Sequence, residues 1–252
     1  MSESREVVAA VADLVADVRR PVLVGIDGPD GSGKTHFARA LVDELAARGR
    51  PVARSSVDHF HHPREHRHAL GRTPEAVWGR HFDYRAMHRE LLDPWRAGAG
   101  STYTPVWHDV DTDAYVEPQP ASVPAQGILV VDGVFLQRPE LVGRWDLAVY
   151  LDVPPEVTVA RMSERDGTPA DLAHPDQQRY LRAQEIYRET CDPVGLADVV
   201  IDNADWEKPA LRGVGAAEVW RREGAEIVRE VRLPADDLAR AVAIDRLADD
   251  GS

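Results

Sequence analysis

The sequence has a single cysteine, Cys191, in 252 residues, so no intramolecular disulfide can form and no cysteine-based zinc site is available. No apolar run approaches the roughly 18 residues of a membrane span. Glu3, Glu6, Asp13 and Asp17 interrupt the apolar pattern of the N-terminus, which argues against a signal peptide. Basic residues are in deficit: 30 Lys and Arg face 43 Asp and Glu, a formal net charge of −13. A general binder of the nucleic-acid backbone needs a basic surface that releases counterions, so that class is excluded, although a local basic pocket for a phosphorylated small molecule is compatible with the balance. The expectation is a cytoplasmic protein without nucleic-acid or membrane partners, its self-association left open. The length suits one large domain or a domain with an appendage.

What the sequence does contain is Gly28-Pro29-Asp30-Gly31-Ser32-Gly33-Lys34-Thr35, a full match to the phosphate-binding pattern G-x-x-x-x-G-K-[ST]. The apolar run Val22 to Ile26 precedes it and an amphipathic stretch from His36 to Arg48 follows, so the glycines fall between a predicted strand and a predicted helix. Glycines there let the backbone turn tightly and offer N–H groups to phosphate oxygens, and the helix start adds its positive dipole end. In such a loop Lys34 reaches the β- and γ-phosphates and the Thr35 hydroxyl is placed to ligate Mg²⁺.

Further along, Val52 to Val57 reads as a second strand ending on Asp58. Residues 58–82 carry His59, His61, His62, His66 and His68 among Pro63, Gly71, Pro74 and Gly79, which predicts a long loop with a short helix near Pro74 to Trp78. No carboxylate or cysteine pattern completes a tetrahedral metal set with these histidines; solvated loop or acceptor-pocket lining suits them better. Asp83 to Trp95 reads as a helix, Ser101 to Trp107 as a β-prone piece and His108 to Pro124 as an irregular arm. Ile128 to Val131 and Leu147 to Val153 are near-solid apolar runs, as in strands buried on both faces. Helices are expected from Pro154 to Arg165 and Asp176 to Glu189, then a strand at Ala197 to Asp202. Beyond Asn203 come a strand-like Glu226 to Leu233 and a helical Asp236 to Leu247. This alternation predicts a P-loop NTPase three-layer α/β fold, its mostly parallel central sheet covered by helices on both faces and its ligands at the carboxyl ends of the strands. The expected division is residues 1–205, opening with a leading helix over 1–20, and a C-terminal extension over 206–252.

Strand-end acids give the site its chemistry. Asp58 falls where a carboxylate can accept a hydroxyl proton, orient a nucleophile or help hold Mg²⁺, its plainer alternative being a turn cap. Asp132 ends the third apolar run in the manner of a Mg²⁺-binding carboxylate, against the plainer reading of a turn-forming Asp-Gly pair. Arg161 and Arg165 share a helical face before the Gly167-Thr168-Pro169 break and suit a lid over a transferring phosphoryl group, or ordinary surface arginine. Asp83, Tyr84, Trp107 and His108 can hydrogen-bond or stack on an acceptor, and packing of the loop and arm explains them equally. No Asn-Lys-x-Asp guanine-reading block follows the P-loop. A nucleotide-dependent switch or regulatory ATPase is the alternative from another class.

Gly25 to Thr35, Ser56-Val57-Asp58-His59-Phe60, Val131-Asp132-Gly133-Val134-Phe135 and Arg161 to Asp166, in that order, resemble the uridine kinase and phosphoribulokinase branch of P-loop kinases over about residues 20 to 205. The resemblance implies ATP as donor, Mg²⁺, and transfer of the γ-phosphoryl group to a hydroxyl of a small molecule, the 5′-hydroxyl if the acceptor is a uridine- or cytidine-like nucleoside. It assigns Asp58 as the base, Thr35 and Asp132 to the metal, with Asp58 beside it, Gly28 and Asp30 through Thr35 to the nucleotide, and Arg161 with Arg165 to the lid. It directs the acceptor to His59, Phe60 and His61 and, more loosely, to Trp107 and His108. Uridine kinases typically show Asp-Ser-Phe-Tyr where this chain has Asp58-His59-Phe60-His61, and a glutamate where it has Asp132.

Overall fold

A computed structural model of the chain describes residues 3–213, 220–223 and 226–229. In chain order the elements are α1 (Glu3–Ala16), β1 (Val22–Asp27), α2 (Lys34–Ala47), β2 (Val52–Ser56), a 3₁₀ turn (Val57–Phe60), α3 (Arg64–His68), α4 (Pro74–Arg80), α5 (Tyr84–Met87), a π-helical turn (His88–Leu92), α6 (Asp93–Ala97) and the short strands β3 (Thr102–Tyr103), β4 (His108–Asp109), β5 (Ala114–Tyr115) and β6 (Ala121–Ser122). Then follow β7 (Ile128–Asp132), β8 (Leu147–Asp152), α7 (Pro155–Asp166), α8 (Pro175–Cys191), α9 (Pro193–Leu196), β9 (Val199–Asp202), β10 (Ala210–Gly213), β11 (Trp220–Glu223) and β12 (Glu226–Arg229).

The main sheet runs β10-β9-β8-β1-β7-β2, parallel except for β10, which pairs antiparallel with β9 and carries the sheet past residue 205. Every residue of β1 is buried, as is all of β7, because helices cover both faces. Successive side chains point to opposite faces, so Val22, Val24 and Ile26 pack with α1 and α2, while Leu23, Leu129, Val131 and Tyr150 join the core under α4 to α6 and α8. This is a three-layer α/β fold of the P-loop NTPase type. Its β1, β2, β7 and β8 all end on the same edge, bringing Asp27, Asp58, Asp132 and Asp152 to one side of the molecule.

Two segments depart from the periodicity for identifiable reasons. The 58–82 stretch, expected to be mostly loop, holds α3 and α4 in addition to the 3₁₀ turn. Thr73 caps α4 by accepting from the Ala76 N–H, Pro74 starts it, and Ala76 and Val77 bury against α8. The Asp83 to Trp95 helix is interrupted by a π turn just ahead of Pro94. Proline has no N–H for the Glu90 carbonyl, and the Thr104 N–H supplies the missing donor at 2.7 Å. The arm after residue 107 is likewise built, with β4 pairing β5 and β3 pairing β6. In the tail β12 pairs β11, in partial agreement with the expected strand, and the helix expected over 236–247 lies outside the described residues.

Candidate active site

The loop between β1 and α2 turns on three glycines in the left-handed region, Gly28, Gly31 and Gly33, with φ of 146°, 76° and 90°. A Cβ would stand 2.7 Å from the Leu151 carbonyl oxygen at Gly28 and 2.5 Å from that of Thr158 at Gly31, so the wrap permits no side chain there. The loop is held from outside by the Asn203 side chain, which donates to the Ser32 carbonyl at 2.7 Å, and by Arg161, which donates to the carbonyls of Asn203 and Ala204 at 2.9 Å and reaches that of Gly31 at 3.4 Å. Lys34 is buried and donates from Nζ to the Pro29 carbonyl across the loop at 2.7 Å. The Ser32 hydroxyl is buried with no partner.

Thr35 opens α2 and its hydroxyl donates to Asp132 Oδ2 at 2.8 Å. The other oxygen of Asp132 accepts from Arg54 Nη2 at 2.6 Å, and Ser56, paired with Asp132 in register, donates from its hydroxyl to the Asp132 carbonyl at 3.0 Å. The Ser56 hydroxyl also caps the 3₁₀ turn by accepting from the Asp58 N–H. Asp58 is thereby fixed beside the phosphate loop. Burial holds its carboxyl above the ordinary carboxylate range, with Asp30 and Asp132 pushing the same way and His61 and Lys34 opposing. His61 is pushed down by burial against the pull of Asp58.

The cradle, its unpartnered Ser32 hydroxyl and the Thr35–Asp132 pair fit a nucleotide phosphate with Mg²⁺, an ion that takes one or two protein ligands and fills its remaining positions with phosphate oxygens and water. Arg54 was not singled out in the sequence, although its place two residues before Ser56 on the same face of a buried strand is a signal. Equally silent was Asp27. Its carboxylate accepts from the Gly28 N–H at 2.7 Å and from the Tyr187 hydroxyl, which itself accepts from the Gln137 N–H at 2.7 Å. Burial pushes Asp27 up to about 6 despite these bonds and Lys34.

Two clefts flank the loop. One, about 430 Å³, is lined by Asp30, Asp58, His61, Phe82, Arg165 and Tyr180 among others; the second, about 480 Å³ and more apolar, runs past Gly33 between Val8, Phe37, Arg161 and Trp206. Of the residues directed to an acceptor, His61 lines the first cleft, whereas Phe60 is fully buried in the core and His59 turns Nδ1 to the Pro105 carbonyl at 3.2 Å. Asp83 caps α5, and Tyr84 packs under the Arg138 guanidinium, burial pushing its hydroxyl up to about 12. Trp107 and His108 stand in the β4–β5 arm against Tyr115, outside the lining of that cleft. Arg165 pairs with Asp166 at 2.7 Å. Among the described residues no cluster of three or more His, Cys, Asp or Glu side chains is placed to hold a metal, and no helix is long and apolar enough to cross a membrane.

A phosphate-binding loop on β1 with a carboxylate at the end of the neighbouring parallel strand defines a P-loop protein. No family model matches the chain. It is 26% identical over 199 residues to a uridine kinase of Geobacillus kaustophilus, covering 72% of this chain and 90% of that one. A structure described as a possible uridine kinase from Bacillus stearothermophilus superposes with a TM-score of 0.59 and 25% identity, covering 76% and 97%. Phosphoribulokinase from Rhodobacter spheroides shares the fold, with a TM-score of 0.51 at 13% identity over 92% and 96%. These likenesses support membership in the P-loop kinase superfamily, on its uridine kinase and phosphoribulokinase side, and with it phosphoryl transfer to a hydroxyl of a small molecule.

Proposed function

We propose that this chain is an ATP- and Mg²⁺-dependent kinase that phosphorylates a hydroxyl group of a small molecule bound in the cleft over Asp58. The observation that carries the reading is the placement of a buried carboxyl with a raised pKa beside an intact phosphate cradle. The N–H groups of the loop and Lys34 bind the β- and γ-phosphates, and the apolar cleft at Phe37 and Trp206 takes the donor's base. Mg²⁺, held through Thr35 and Asp132, would neutralise charge on the phosphate oxygens. Asp58 accepts the proton of the acceptor hydroxyl as that oxygen bonds to the γ-phosphorus. The bond from phosphorus to the β,γ-bridging oxygen breaks and ADP departs. Arg161 keeps the loop in register and Arg165 closes over the cleft mouth.

The narrower form of the proposal, a uridine- or cytidine-like nucleoside accepting at its 5′-hydroxyl, is supported by the relative named uridine kinase. The test is ADP release with ATP·Mg²⁺ against uridine, cytidine and other hydroxylated metabolites. Release that depends on the acceptor supports the kinase; hydrolysis at the same rate without any acceptor supports a nucleotide-driven switch instead.

A further inference from the structure

The Asp58 cleft is cationic at its end away from the phosphate loop, in a chain whose net charge is −13. Four arginines line it, Arg67, Arg72, Arg165 and Arg179. Two are neutralised where they stand: Arg72 faces Asp176 at 3.3 Å and Arg165 faces Asp166 at 2.7 Å. The other two are not. Arg67 is buried and its one acceptor among the described residues is Asp113, at the long distance of 3.4 Å; its Nε is buried without a partner. Arg179 lies over the Tyr180 ring and donates Nη2 to the Tyr180 hydroxyl at 2.8 Å; its Nε too is buried and unpartnered, and no carboxylate meets it among the described residues. A guanidinium has five donors, so each keeps most of its capacity unused while bearing the cost of partial burial. The local potential is felt by their neighbours: His81 is pushed down to about 3, by burial first and then by His61, Arg67 and Arg179, so it stays neutral and leaves the positive charge to the arginines.

We propose that the acceptor carries an anionic group, a carboxylate or a phosphate, bound by Arg67 and Arg179, while its hydroxyl meets Asp58. This rests on the kinase reading above and narrows it, because neutral uridine and cytidine lack the charge these arginines would recognise. Planar, bidentate recognition of carboxylate or phosphate is what guanidinium donors supply best, and Val77 and Phe82 leave an apolar wall for the carbon skeleton between the two ends. The Arg67 position is set by α3 and that of Arg179 by α8, so the anion would also bridge two elements that meet only through α4.

The experiment is calorimetric titration of inorganic phosphate and of malonate into the full chain saturated with a non-hydrolysable ATP analogue and Mg²⁺, so that the phosphate loop is already filled. Saturable binding of at least one anion is expected, weakened about ten- to a hundredfold in Arg179→Gln, the loss of one charge-assisted hydrogen-bonding partner. Arg67→Gln is the companion variant; Arg179 is half-buried on α8, so its replacement tests the site even where the buried Arg67 change does not fold. In turnover, each hydroxy acid or sugar phosphate is paired with its neutral counterpart, glycerate with glycerol and ribulose 5-phosphate with ribulose, and the charged member should lead by tenfold or more in kcat/KM, a lead that shrinks in Arg179→Gln. No anion binding in the analogue-loaded protein, or uridine phosphorylated as well as any charged acceptor, overturns the inference while leaving the kinase reading in place. Anion binding without acceptor-dependent ADP release does the reverse.

Discussion

The two sides of the candidate site are built by opposite means. The phosphate cradle is local: eight consecutive residues, left-handed glycines and the first turn of α2 define it, with Asn203 and Arg161 bracing it from behind. The acceptor cleft is assembled from residues as far apart as Asp58 and Tyr180, carried on the 3₁₀ turn, α3, α4, α7 and α8. A backbone cradle tolerates change around it because phosphate is recognised by main-chain N–H groups. A side-chain cleft changes its preference with each substitution, which is why a scaffold of this type can keep one donor and accept different partners.

Substitution can break this contrast at either end. The largest expected effect is from Lys34→Ala, which removes the charge facing the β- and γ-phosphates and should cost about 10³-fold or more in kcat/KM for ATP. Steady-state kinetics equal to wild type would remove the cradle from the mechanism. Asp58→Asn comes next, with turnover falling about 10²- to 10³-fold and ATP affinity measured by titration nearly unchanged, since a general base is lost and no phosphate contact is touched. Equal loss of ATP affinity would move Asp58 from the acceptor side to the donor side.

Asp27 tests how firmly the two sides are joined, because its bonds run from the Gly28 N–H to Tyr187 on α8. Its pKa is raised from 3.8 to about 6, so the folded protein binds this proton more tightly than the unfolded chain does. The stability this confers is complete below about pH 4 and is lost as pH rises through 6, on the order of 3 kcal/mol in all. Urea unfolding of wild type and Asp27→Asn from pH 4 to 7 should therefore show the difference between them drifting in the variant's favour as pH rises; a difference independent of pH would mean Asp27 titrates normally. The smallest effect is expected from Gly31→Ala, whose Cβ would press on the Thr158 carbonyl at a φ of 76°. It should cost about 1–3 kcal/mol of stability in the same unfolding measurement; an unchanged midpoint would mean the loop is free to move.

Much of the fold was legible because it is written in short-range pattern. Near-solid apolar runs marked β1, β7, β8 and β9 as doubly buried strands, and Pro155 with Gly167 bracketed α7. The failures of pattern have local causes that periodicity cannot express. Two short helices in the 58–82 stretch owe their existence to a Thr73 cap and to burial of Ala76 and Val77 against α8, and the π turn before Pro94 is completed by a donor from Thr104. On the site, the strand-end position of Asp58 and Asp132 was readable from where the apolar runs stopped. That Arg54 shares Asp132 with Thr35, or that Phe60 turns into the core while its neighbour His61 faces the cleft, depends on which face each side chain takes when the sheet closes.

The sequence by itself determined the phosphate cradle and the parallel sheet that presents it, since both follow from contiguous residues whose glycines, β-branched runs and helix start act over a few positions. Only the tertiary structure decided the acceptor side. Arg67 and Arg179 are 112 positions apart in the chain, and their unspent charge exists only where α3 and α8 meet the same cleft without a carboxylate to match them. A charge's worth depends on its burial and partners, and neither is a property of the residue that carries it.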